Sequence, residues 1–118
     1  MSVMMSIKVV SKGSVDSKAQ EAFELSMRER FGPKELFMHE GDANYAYVHG
    51  GIDGFYNFPK GNRELVCGIR GEGHSSAAIA FRKDVLVVAR QYGFHLRVDY
   101  TSRDEEGVQV RKIGRIYK

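Results

Sequence analysis

Polar and apolar residues alternate along SIKVVSK (6–12), and the segment is rich in β-formers, so it reads as a short strand. The next stretch, GSVDSKAQEAFELSMRERFGP, changes period. Val15, Ala19, Ala22, Phe23, Met27 and Phe31 recur at helical spacing and form one apolar stripe. Ser17 and Gln20 have the spacing of a capping box, and Gly32–Pro33 stops the helix. KELFMHEGDANYAYVHGG predicts a hairpin: two β-prone runs flank Gly41–Asp42, and Tyr45, Tyr47 and His49 alternate with Ala46 and Val48. Residues 50–63, GGIDGFYNFPKGNR, show no period. They hold four glycines, a proline and three aromatics, and are expected to form a long loop of the kind that often carries function.

ELVCGIRG (64–71) reads as a buried strand. A second helix is predicted over about 76–92, with Ala78, Ile79, Val85, Leu86, Val88, Ala89 and Tyr92 as its apolar positions. Gly93 is placed to end it. FHLRVDYT alternates strictly, with Phe94, Leu96, Val98 and Tyr100 on one face and His95, Arg97, Asp99 and Thr101 on the other. SRDEEG makes a turn and VQVRKIGRIYK returns as a strand. Its alternation breaks near 112–114, which predicts a bulge there.

The resulting order is β-α-β-β-β-α-β-β. It predicts an α+β fold of one domain, with both helices packed on one face of a mostly antiparallel sheet of about six strands. Two βαββ halves, 6–49 and 64–117, are joined by the aromatic and glycine-rich loop 50–63. The other sheet face is left either solvated or as a binding surface.

Composition narrows the class. A chain of 118 residues, 42% of them hydrophobic, has the size and make-up of one globular domain. No apolar run is long enough for a membrane span, and the start has no signal-peptide pattern. Cys67 is the only cysteine, so the expected reading is a buried thiol in a cytoplasmic protein. The formal net charge of +3 permits anionic partners without demanding them, because the 15 acidic residues are mixed among 18 basic ones. Nothing in the sequence sets the oligomeric state.

RGEGHSSAAIAF (70–81) is the first candidate site. A helix N-terminus presents unpaired N–H groups, and glycines allow close approach, so Ser75 and Ser76 are candidate anion ligands. The stretch from Gly71 to Ala78 resembles the phosphate loop of the GHMP kinases. The extra His74, the negative charge of Glu72 and the shortness of the chain exclude membership of that family. The plainer reading gives Gly71 and Gly73 to a turn and Ser75 or Ser76 to the helix cap. His74 is the one weak candidate for acid–base catalysis, and no second catalytic group is marked beside it.

His39, His49, His74 and His95 lack metal-ligand spacing, so no metal or cofactor is expected. The aromatic loop and the strand before it combine Tyr45, Tyr47, Phe55, Tyr56 and Phe58 with Lys60 and Arg63. Rings that stack on bases and cations that hold phosphates make a nucleic-acid or nucleotide site. The C-terminal hairpin adds Arg97, Arg111 and Arg115, which could line up as a basic ribbon with Lys112 or Lys118. The functional expectation is a small protein that binds nucleic acid or a nucleotide through an aromatic and basic surface. The alternatives are a protein-interaction module, a regulator or inhibitor of a larger partner, and a small enzyme acting on a phosphorylated substrate.

Overall fold

Met5, Ile7 and Val9 are buried, while the alternating Met4 and Lys8 are exposed and Ser6 is half-buried. This two-residue period makes strand β1 (Ser2–Val10), and its apolar side faces the helices. The computed structural model describes residues 2–32, 35–39, 42–49, 52–59, 64–73 and 75–118, without the side chains of 35–39, 42–44, 46–49, 52 and 53. After β1 come α1 (Ser17–Phe31), β2 (Glu35–His39), β3 (Asp42–His49), β4 (Ile52–Phe58), β5 (Leu65–Glu72), α2 (Ser76–Gln91), β6 (His95–Arg103) and β7 (Gln109–Tyr117). The fold is α+β. Among the described residues, seven strands form one sheet in the order β2-β3-β4-β5-β1-β6-β7, and every neighbouring pair is antiparallel.

The additional strand is β4, which lies inside the predicted loop 50–63. Tyr56 and Phe58 face the core and Phe55 faces away, so the segment does alternate. Gly54 stands where the next inward side chain would be, and that gap hides the period in the sequence. The strand order also interlocks the two predicted halves. β1 lies between β5 and β6, and β5 lies between β4 and β1. Helix α2 therefore links two parallel strands, β5 and β6, separated by the antiparallel β1, a split β-α-β arrangement, whereas α1 carries the chain from the central β1 to the edge strand β2, past three intervening strands.

The helices supply the second layer. Phe23, Met27 and Phe31 of α1 and Phe81, Val85, Val88 and Ala89 of α2 are buried against the sheet. Burying a side chain of this size contributes about 1.5–3 kcal/mol. Phe23 is the hub, with edge-on contacts to Phe58, Tyr92 and Phe94 at centroid distances of 6.3, 5.9 and 5.6 Å. Asp16, not Ser17, caps α1, its side chain accepting from the Lys18 amide. Gln20 is buried and is no part of a capping box. Its Nε2 donates to the carbonyls of Pro59 and Val66, each at 2.9 Å, and ties α1 to the ends of β4 and β5.

Two details of the second half differ from expectation. The β6–β7 register runs unbroken from Leu96↔Tyr117 to Ser102↔Arg111 and shifts only at Arg103↔Gln109. The irregularity is at the start of β7, not at 112–114. Gly114 sits directly opposite Asp99, whose Oδ1 is 3.2 Å from where a Cβ would be, so the glycine accommodates a neighbour rather than a kink. Gly73 serves a similar need. Its amide donates to the Val3 carbonyl, and an added Cβ would lie 2.9 Å from Met5 Cβ and 3.0 Å from the Met5 amide nitrogen.

A candidate binding face opposite the helices

The residues that alternate with the core positions form the opposite face of the sheet. Direct cross-strand partners define two rows across it. One runs Asn57–Gly68–Lys8–Arg97–Ile116 and the other Phe55–Arg70–Ser6–Asp99–Gly114, each from β4 through β5, β1 and β6 to β7. Lys8, Arg70 and Arg97 are exposed, and among the described residues none of them makes an ion pair. Lys8 and Arg97 are directly opposed on neighbouring strands, a placement that costs stability in the absence of an anion. Phe55 is 55% exposed beside Arg70, its cross-strand partner.

Two glycines shape this surface. A cleft of about 450 Å³ lies over Gly68, walled by Lys8, Phe55, Asn57, Leu65 and Arg70. A second, of about 570 Å³, lies over Gly114 and is bounded by Lys8, Arg97, Asp99 and Ile116. The opposed pair Lys8–Arg97 stands between them. Asp99, half-buried, tempers the positive charge on the β6 side.

The structure divides the sequence-predicted site residues. Tyr45 and Tyr56 are core residues, 3% and 1% exposed, stacked on each other at 5.2 Å. The Tyr56 hydroxyl donates to the Gly32 carbonyl at 2.8 Å, and the Arg28 guanidinium lies 5.4 Å from the Tyr45 ring centre. Burial pushes both phenols up, so they stay neutral. Neither ring is available to stack on a base. Phe55 and Arg97 do reach the open face. Arg111 and Arg115 do not join Arg97 there, because register places them on the opposite side of β7, across from Ser102 and Val98. The predicted basic ribbon is thus split between two faces. Lys112, opposite Thr101, is the β7 cation on the side of Arg97. Lys60, Arg63 and His74, and the side chain of Tyr47, lie outside the described residues.

The start of α2 is self-capped. Ser75 Oγ accepts from the Ala78 amide at 3.1 Å, and Glu72 accepts from both the Ser75 amide and its hydroxyl at 3.0 Å. The chain's own carboxylate therefore occupies donors that an incoming anion would use. Ser76 is the exposed first residue of the helix.

On the far side of the sheet, Arg82 fastens β7. Its guanidinium donates to the Tyr100 hydroxyl at 2.6 Å and lies 4.4 Å from the Tyr117 ring centre. Among the described residues no three His, Cys, Asp or Glu side chains converge as metal ligands, and no helix is long and apolar enough to cross a membrane.

Sequence reasoning missed Lys8, Asn57, Gly68 and Arg70. Each is an isolated polar residue or glycine in its own strand, and only the pairing of β4, β5 and β1 brings them together. The outward parity of Lys8 in its alternating segment was the one local sign. Comparison of this chain with protein-family models, with curated proteins and with solved structures finds no match.

Proposed function

We propose that the open face binds single-stranded nucleic acid. The observation that carries this reading is the directly opposed, unpaired Lys8 and Arg97, with Arg70 and the exposed ring of Phe55 on the adjoining strands. Like charges held face to face on a sheet are relieved by an anion lying between them, and a phosphodiester chain supplies a series of anions. An aromatic ring beside cations adds a stacking surface for a base, a combination that sequence-tolerant single-strand binders use. The net charge of +3 favours such a ligand at long range.

The test is binding of labelled oligonucleotides across a salt series. Neutralising three phosphates with Lys8, Arg70 and Arg97 predicts a slope of log K against log salt of about −2 for a single strand. Lys8→Ala and Arg97→Ala should each weaken binding to all sequences and reduce the magnitude of that slope by about 0.7. Absence of binding to any oligonucleotide at low salt would end the reading.

A second reading, docking of a protein partner, rests on β7. This strand ends the sheet, and Val110 and Ile116 along it, with Val108 just before it, are each more than half exposed. An extended segment of a partner could add to such an edge. Capture of one stoichiometric protein that survives nuclease treatment and is lost on Val110→Lys would select it.

A further inference from the structure

We infer that the cleft over Gly68 holds one base of the bound strand and reads its edge through Asn57, an inference that rests on the nucleic-acid reading above. Gly68 is opposed by Asn57 on one side and Lys8 on the other, so its missing side chain leaves a gap one residue wide between two polar walls. A Cβ at this position would lie 2.8 Å from Asn57 Oδ1, which shows that the amide already leans into the space. The Asn57 amide is half-buried and makes no side-chain hydrogen bond among the described residues. It offers an acceptor beside two donors, the pattern that pairs with the polar edge of a base. Phe55, next but one on the same strand and outward-facing, presents a ring at the side of the cleft. Arg70 and Lys8 stand where the phosphates flanking that base would pass, and Leu65 supplies an apolar wall. At about 450 Å³ the space is in the range of small-ligand pockets.

The second cleft provides a matched control. Gly68→Val fills the first cleft and Gly114→Val fills the other, and a β-branched residue suits a strand at either place. Binding of octanucleotide homopolymers of each base is measured by fluorescence anisotropy at low salt, with melting curves to confirm folding. Gly68→Val is expected to weaken binding by about tenfold or more, the scale of one stacked base. Gly114→Val should weaken it by clearly less. Wild-type protein should rank the homopolymers, and Asn57→Ala, which leaves the cleft open, should flatten that ranking.

Equal losses in the two valine variants, or a folded Gly68→Val that binds as wild type, would overturn the assignment. If Gly68→Val fails to fold, Asn57→Ala decides: an unchanged ranking, or none in the wild type, removes the edge-reading pocket. In all these cases salt-dependent binding survives and so does the general reading. If wild-type protein binds no octanucleotide, the general reading has failed and the pocket with it.

Discussion

Gln20 shows how one side chain can be recognised for its type and misjudged for its partner. Its spacing from Ser17 matches a helix cap, yet it reaches across 39 and 46 residues to the Pro59 and Val66 carbonyls. Gln20→Ala strands two carbonyls at once. The expected cost is about 1–3 kcal/mol, read as a lower urea midpoint with an unchanged slope. The aromatic cluster was legible as a set and not as an arrangement. Tyr56 and its neighbour Phe55 differ by one position, and in a strand that sends one to the core and the other to solvent. Cys67 met its expectation of burial: it is 0% exposed.

At the scale of elements, the α2 junction separates two serines that look equivalent in sequence. Ser75 bonds to the Ala78 amide and to Glu72, whereas Ser76 is exposed. Ser75→Ala should cost about 1 kcal/mol and Ser76→Ala less than about 0.5 kcal/mol, compared by thermal denaturation. The helices were legible because their apolar stripes are long and periodic. Strand β4 was not, because Gly54 occupies an inward position and leaves no apolar mark. The face carried by β7 was also beyond local reading. With the register break at the start of the strand, Arg111 and Arg115 fall on the side opposite Arg97.

For the whole molecule, the titratable groups of the interior set the response to pH. Burial pushes the Cys67 thiol well up, and it raises the phenols of Tyr45, Tyr56 and Tyr117. The Glu24 carboxylate adds to the effect at Cys67, Tyr45 and Tyr56, and Tyr100 adds to it at Tyr117. A group whose pKa is raised by folding holds its proton in the native state after the unfolded chain has released it. Stability from these groups is therefore complete below the unfolded pKa values and falls as pH rises through them. The melting temperature should stay level with respect to these four groups up to about pH 8.5, the ordinary thiol value, and then decline. In a Cys67→Ala variant the first part of that decline should be absent. The succession of helices and most strands could be read from the chain, but the order of strands in the sheet could not. Ile7 is aligned with both Ile69 and Val98, and no local pattern encodes partners so remote. The open face shares this limit, since its two rows exist only once five strands are in place.

The central position of β1 has a bearing on how the protein is made. A ribosome releases the start of a chain first, so β1 emerges well before β5 and β6, the two strands that flank it. Its apolar side chains Met5, Ile7 and Val9 must wait, unsheltered, until residues up to about 103 have been synthesised. Neither half can complete its sheet alone, and the pairing of β1 is deferred until β6 has left the ribosome. A chain stalled before β6 would expose one whole edge of β1, and that truncated product, more than the finished protein, is the species that should call on chaperones.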